Sequence, residues 1–167
     1  DSWPVVSWSA IDYYGNWKAM QYQTQRAFAP VLVNAIREGE KLRVYVLSDC
    51  LKAEKVTLQL EWTDFQGKIH RRQQVEGMLP VNASEVFYEE DWQKAFAACD
   101  TTASYLRMTL KGKQSRKVLS DEVYYPVYPK YQHLPQAKIS CKKVLKDGTC
   151  ELTLKSSQLA RDVFIEI

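Results

Sequence analysis

The sequence predicts a mainly β chain: an immunoglobulin-like antiparallel β-sandwich preceded by a helix and followed by a partial second sandwich. Three observations predict it. Short segments alternate apolar and polar residues, the period of a strand with one buried and one wet face. Turn residues rather than long helical crossovers separate them. The one extended helical pattern lies before residue 30.

Residues 1–15 are aromatic and irregular, with Trp3-Pro4, Trp8 and the pair Tyr13-Tyr14 ending at Gly15. Ser9 with Asp12 three positions on can cap a short helical turn, and Asn16 is the expected N-cap of a helix over Trp17–Phe28, stopped by Ala29-Pro30. Trp17, Met20 and Phe28 share one face of that helix with Thr24, while Lys18, Gln25 and Arg26 lie away from it. Something must cover the apolar face. After Pro30 the period changes. Val31-Leu32-Val33 opens an apolar run, and Leu42, Val44 and Val46 alternate with Arg43, Tyr45 and Leu47. Val56, Leu58, Leu60 and Trp62 alternate with Lys55, Thr57, Gln59 and Glu61, the strongest strand signal in the chain and one that places Trp62 in the core. Phe65-Gln66-Gly67-Lys68 supplies a turn, and a more polar strand runs to about Val75. Glu89 to Ala98 reads as a short connecting helix, with Trp92 packing it onto the sandwich. Leu106, Met108 and Leu110 mark another strand, and Val118 to Val127 the last of the sandwich.

Tyr128 to Pro135 has two prolines and no alternation, the pattern of a linker. Beyond it a hairpin turns at Asp147-Gly148, so that Leu145 faces Cys150 and Cys141 faces Leu154. The two cysteines then lie ~13 Å apart along one face, too far for a disulfide. A third strand is expected over Asp162–Ile167. Three strands do not close a sandwich, so this second unit reads as truncated.

At 167 residues the chain can bury a sizeable core, and its 46% hydrophobic and 26% charged residues match a soluble globular domain. Its net charge of +3 comes from 23 basic and 20 acidic side chains interspersed along the chain, which gives no strong field and no case for nucleic acid. The densest basic cluster, Lys68 to Arg72 with Lys111, Lys113, Arg116 and Lys117, reads as a solvated face. No apolar run approaches the ~20 residues of a membrane span, and the N-terminus lacks the pattern of a signal peptide. Cys50, Cys99, Cys141 and Cys150 form no CxxC pair and His70 and His133 stand alone, so no metal site is expected; the cysteines read as reduced, mostly buried thiols. Glu89-Glu90-Asp91 is a run of carboxylates, but adjacent positions point in different directions and cannot clamp one bond; it reads as a solvated helix start. Two histidines in polar or linker settings argue against a Ser/His/Asp or Cys/His constellation. Asn82-Ala83-Ser84 fits a glycosylation acceptor, with a turn after Pro80 as the plainer reading. Among the exposed aromatic candidates for sugar stacking, Tyr124, Tyr125, Tyr128 and Tyr131 have no other assigned place.

The first nineteen residues, Asp1-Ser2-Trp3-Pro4-Val5-Val6-Ser7-Trp8-Ser9-Ala10-Ile11-Asp12-Tyr13-Tyr14-Gly15-Asn16-Trp17-Lys18-Ala19, closely resemble the end of the catalytic barrel in the β-mannosidases of glycoside hydrolase family 2. That family's pattern there is roughly WQLND-x-WP-x-x-SWSSIDYYGRWKAL, followed by a helix and a junction like Phe28-Ala29-Pro30-Val31. Leu134 to Ile139 and Leu159 to Phe164 resemble the start of the family's last sandwich, whereas about 34–120 resembles it only in strand pattern and order. The resemblance implies that residues 1–28 are the tail of the (β/α)8 barrel, 29–128 an immunoglobulin-like sandwich, and 129–167 a linker with the first strands of a second. It implies a parent enzyme that hydrolyses terminal β-mannosides with retention, and that is secreted, periplasmic or lysosomal. Retention needs two carboxyl groups ~5 to 5.5 Å apart; in this family both come from earlier barrel strands, so no catalytic residue, cofactor or metal is expected in this chain. The expected partners are the parent's catalytic barrel and, through the whole enzyme, β-mannoside glycans; the uncovered faces of the fragment add self-association. Asp1, Trp3 and Trp8 are the residues expected at the rim of the parent's active site. The family's WQLN before Asp1 is not in the sequence, so its sugar-facing Trp is lacking, and Asn16 stands where Arg is usual. The alternatives are a stand-alone carbohydrate-binding module and a structural immunoglobulin-like surface module.

Overall fold

The computed structural model describes residues 9–163 and residue 165. Helix α1 (Ala19–Ala27) precedes seven strands: β1 (Val31–Glu38), β2 (Lys41–Ser48), β3 (Lys55–Asp64), β4 (Ile69–Met78), β5 (Ala83–Asp91), β6 (Ser104–Gly112) and β7 (Val118–Tyr124). One sheet has the order β1-β2-β5 and the other β4-β3-β6-β7, with every pairing antiparallel. A single helical turn, α2 (Trp92–Ala95), joins β5 to β6; after a 3-10 turn (Pro129–Tyr131), β8 (Ile139–Lys146) and β9 (Thr149–Ser156) form a separate hairpin.

The core is the meeting of two inner faces. Val33, Leu42, Val44 and Val46 come from one sheet, and Val56, Leu58, Leu60, Trp62, Leu106, Met108 and Leu110 from the other, each with at most 1% of its surface in water. Fully burying a side chain of this kind is worth ~1.5–3 kcal/mol. Ala95 and Phe96 fill the end of the sandwich near α2, where Trp92 and Tyr124 pack on Phe96, and Leu79, whose N–H donates to the Glu54 carbonyl, belongs to the opposite end.

The two open sides are each closed by a polar link. Where β1 runs beside β7, the buried N–H of Val33 donates to the Ser120 hydroxyl at 3.1 Å. On the other side Arg71 of β4 reaches Glu90 and Tyr88 of β5.

Several local expectations are corrected. Helix α1 begins at Ala19, with Lys18 at its N-cap and no side-chain cap. Asn16 does not cap it, because the Asp12 carboxylate holds Asn16 in the preceding turn: Oδ1 accepts the N–H groups of Tyr14 (2.9 Å) and Asn16 (2.8 Å), and Oδ2 accepts Asn16 Nδ2 (3.1 Å). A short side chain bonded to nearby backbone competes with helix initiation. Ser9 and Asp12 likewise serve this turn rather than a helical one, the Ser9 hydroxyl donating to the Ile11 carbonyl. The turn near Pro80 exists, with Asn82 exposed at a φ of 46°, yet a strand follows it at once. That strand, β5, escapes a search for alternation because it is an edge and only Tyr88 is buried. It absorbs Glu89–Asp91, which leaves the connecting helix a single turn. Strand β7 ends at Tyr124, three residues early.

In the C-terminal hairpin, Asp147 (φ 49°) and Gly148 (φ 74°) form a two-residue turn and Leu145 pairs with Cys150, Cys141 with Leu154, as expected. All of β8 is exposed, as is all of β9 except the half-buried Leu152. Cys141 and Cys150 are therefore surface thiols rather than buried ones, while Cys50 and Cys99 rest half-buried against the core; all four are free. No strand includes Asp162, Val163 or Ile165, and Asp162 has a φ of 53°, which interrupts an extended run; the rest of the expected third strand lies outside the described residues.

Replacing Ser120 by Ala strands the buried Val33 N–H, a loss of ~1–3 kcal/mol. Ser120→Ala is expected to lower the urea midpoint accordingly, whereas Ser115→Ala, at an exposed loop, leaves it in place.

Candidate functional site

Asp1, Trp3 and Trp8, the residues expected at an active-site rim, lie outside the described residues. Within the described residues, chemistry-bearing side chains gather in two places: the β4–β5 side of the sandwich, and the end from which the C-terminal hairpin departs.

On the β4–β5 side, Arg71 and Gln73 occupy the inward positions of a strand whose outward positions are Arg72 and Gln74. The Arg71 guanidinium lies 4.4 Å from the centre of the Trp62 ring, which meets Tyr88 edge-on. It donates to Glu90 Oε2 at 2.7 Å, to Gln73 Oε1 at 2.7 Å and to the Tyr88 hydroxyl at 3.1 Å, and that hydroxyl donates in turn to Glu90. Burial pushes the Glu90 carboxyl up, but Arg71 and Tyr88 outweigh it and hold the group below its usual range. Burial also raises the Tyr88 phenol, helped by the neighbouring Glu90 carboxylate.

The three adjacent carboxylates are thus divided among three tasks. Glu89 faces outward and pairs with Lys41 and with Arg43, whose Nε is 2.6 Å away. Glu90 faces inward to Arg71, and Asp91 caps α2 by accepting the Lys94 N–H at 3.0 Å. They point apart, as expected, but Glu90 is no solvated residue. Arg71 likewise departs from the solvated face assigned to the Lys68–Arg72 cluster. Arg72 and Lys113 do conform, pairing with Glu61 and Glu76 at the surface. The inward place of Arg71 was signalled by its being in phase with Gln73, Val75 and Gly77, a weak period in a polar strand.

At the hairpin end, the Asp64 carboxylate shapes the β3–β4 turn by accepting the N–H groups of Gln66 and Lys68 and contacting His70 Nε2 at 2.9 Å. Phe65 at its corner is 1% exposed and clusters with Tyr105 and Tyr125. The Arg161 guanidinium lies 4.5 Å over the Tyr125 ring. A mainly apolar cleft of about 400 Å³ separates this turn from the hairpin, lined by Gly67, Tyr105, Ile139, Leu154, Leu159 and Val163 among others.

The four candidate tyrosines do not assemble into one platform. Tyr124 packs on Phe96 and Tyr125 is committed to the Phe65 cluster. Tyr128 and Tyr131 remain exposed, with Lys130 over the Tyr131 ring at 4.7 Å. Among the described residues, no three His, Cys, Asp or Glu side chains come together as metal ligands.

Comparison with known proteins places this geometry. The family described as "Mannosidase Ig/CBM-like domain" matches residues 40–131, more than half of the chain. A protein named beta-mannosidase A from Aspergillus terreus is 36% identical over 70 residues, covering 41% of this chain and 8% of that protein. The crystal structure of a beta-D-mannosidase from Dictyoglomus thermophilum superposes over 95% of this chain and 19% of its own, with a TM-score of 0.76 and 27% identity. An exo-chitosanase from Amycolatopsis orientalis shares the fold over 90% of this chain and 21% of its own, with a TM-score of 0.65 at 16% identity. This chain therefore spans a small fraction of the length of the relatives it matches.

Because the Glu90 carboxyl is held below its unfolded value of ~4.3, its contribution to stability is full above that pH and is lost as pH falls through the lower folded value. The difference in melting temperature between wild type and Glu90→Gln is therefore expected to be largest near neutrality and to shrink below about pH 4. A difference that stays constant from pH 7 to pH 3 would contradict this role.

Proposed function

Since the chain belongs to the Mannosidase Ig/CBM-like domain family, we propose that it is the non-catalytic accessory region of a β-mannosidase, supporting a barrel that hydrolyses terminal β-mannosides with retention. In this reading residues 1–28 close the barrel, 29–128 are the sandwich, and 129–167 lead into a second sandwich. The parent's barrel is the principal partner, and the glycan is met through the whole enzyme.

One observation carries the reading: a finished core stands between two unfinished surfaces. The sandwich buries the inward apolar residues of β2, β3 and β6, whereas Trp17, Met20 and Phe28 before it, and Ile139, Leu145 and Leu154 after it, stay exposed. Phe28 has 83% and Leu145 73% of its surface in water. Apolar side chains so arranged are those of a module built between two neighbours.

In the parent enzyme, the pair Trp17→Glu/Met20→Glu is expected to lower thermal stability and β-mannosidase activity together, while the isolated 167-residue chain is expected not to hydrolyse an aryl β-mannoside. Turnover by purified chain, abolished by a substitution within it, would sink the proposal. The carbohydrate-binding alternative has its own footing in the exposed Tyr128 and Tyr131. Binding of mannan or manno-oligosaccharides by the isolated chain, lost in Tyr128→Ala/Tyr131→Ala, would favour it over a purely supporting role.

The same surfaces predict behaviour in isolation. At rising concentration the chain is expected to self-associate through α1, the hairpin, or an exchange of either, as read by light scattering. Trp17→Glu/Met20→Glu should shift it toward monomer. A wild-type chain that stays strictly monomeric would contradict this expectation.

A further inference from the structure

The C-terminal hairpin poses a mechanical problem. Neither of its strands buries a residue, and a two-stranded hairpin has little stability of its own in water. Its position must come from the segments that lead into it and out of it. Both run across the same end of the sandwich.

The incoming segment is tied down at His133, whose N–H donates to the Thr102 carbonyl at 2.8 Å and whose Nδ1 lies 3.1 Å from the Thr102 hydroxyl. The Gln132 side chain folds back to donate to the Val127 carbonyl at 3.1 Å. On the outgoing side, the Leu159 N–H donates to the Phe65 carbonyl at 2.8 Å, and Gln158 Nε2 to Gln66 Oε1 at 2.5 Å. Phe65 is itself fixed, its N–H donating to the Ala103 carbonyl at 2.8 Å.

Arg161 joins all three parts. It stands on the outgoing segment, donates through Nη1 to Gln132 Oε1 on the incoming one at 2.6 Å, and lays its guanidinium over Tyr125, whose ring belongs to the sandwich cluster. Its Nε lies 2.8 Å from Asp162 Oδ2, and only 21% of its side chain is exposed. A planar guanidinium can stack on a ring and donate in its own plane at once, which an ammonium cannot.

We infer that Arg161, Gln132 and Tyr125 form a latch that fixes the C-terminal hairpin, and whatever it continues into, to the end of the sandwich, with Arg161 as the positioning residue. The junction between the two units is then a rigid coupling rather than a free hinge. This inference goes beyond the proposed function and holds whichever enzyme the chain serves.

Hydrogen exchange followed by mass spectrometry on the full 167-residue chain tests it. In the wild type, peptides covering His133 and Leu159 should be protected. Arg161→Ala should speed exchange in both by about tenfold or more, while β3 and β6 stay unchanged, as expected of a local opening. Arg161→Lys, which keeps the charge but not the stacked fork, should recover only part of the protection. Gln132→Ala, which leaves the stack in place, should loosen the same two peptides to a smaller degree and serves as the second reading if Arg161→Ala folds poorly. The latch is refuted if the His133 and Leu159 peptides keep their protection in both alanine variants, or if β3 and β6 loosen as much as they do.

Discussion

Val56, Leu58, Leu60 and Trp62 leave water along one face of a single strand, and the rest of the sandwich is arranged around that fact. Strand β3 pairs on both sides, with β4 and β6, so its backbone groups are spent within the sheet while its inner face needs an opposing layer. Strands β1 and β2 supply that layer with the buried Val31, Val33, Ala35, Leu42, Val44 and Val46. Because the side-chain period is two, a slip of one residue in any of these strands would turn an apolar face to water. The register is therefore fixed by burial rather than by turn chemistry, and the bulges lie where β3, β2 and β6 meet edge strands.

A sandwich still has two open sides, and each is closed by the polar group that fits its geometry. At β1–β7 the Ser120 hydroxyl accepts the buried Val33 N–H. At β4–β5 the long side chain of Arg71 spans the gap, its guanidinium lying over the Trp62 ring and donating to the Glu90 carboxylate. The pairing of Arg71 with Glu90 is partly solvated and has only a modest energetic worth. Its greater effect is to hold β4 and β5 at one spacing, because either charge left alone beside the core would be costly.

The relatives bear on what such a scaffold is for. The same arrangement recurs in a beta-D-mannosidase and, at lower identity, in an exo-chitosanase, so the fold alone does not determine which sugar an enzyme cleaves. What the fold does supply is a stiff body with uncovered apolar side chains at its two chain-wise flanks. The Arg161 latch extends that stiffness past the linker, and the proposed role as a support asks for just this property.

The period-two alternation of β2, β3 and β6, the core place of Trp62 and the Asp147-Gly148 hairpin register were legible from the residues alone, because each depends on local period and on burial that repeats along a strand. The aromatic opening and the 134–139 and 159–164 segments carried the family resemblance in the same local way. Tertiary structure alone decided the rest. Strand β5 has no alternation because it is an edge; Asn16 lost its capping place to a carboxylate four residues earlier; Cys141 and Cys150 are exposed because, among the described residues, no layer covers their hairpin. The inward turn of Arg71 and the stacking of Arg161 on Tyr125 bring together residues 19 and 36 positions apart, and both depend on where whole strands come to rest. A sequence displays the period of each element, but the partner of a charged side chain at an edge or a junction is set only once the sheets have packed.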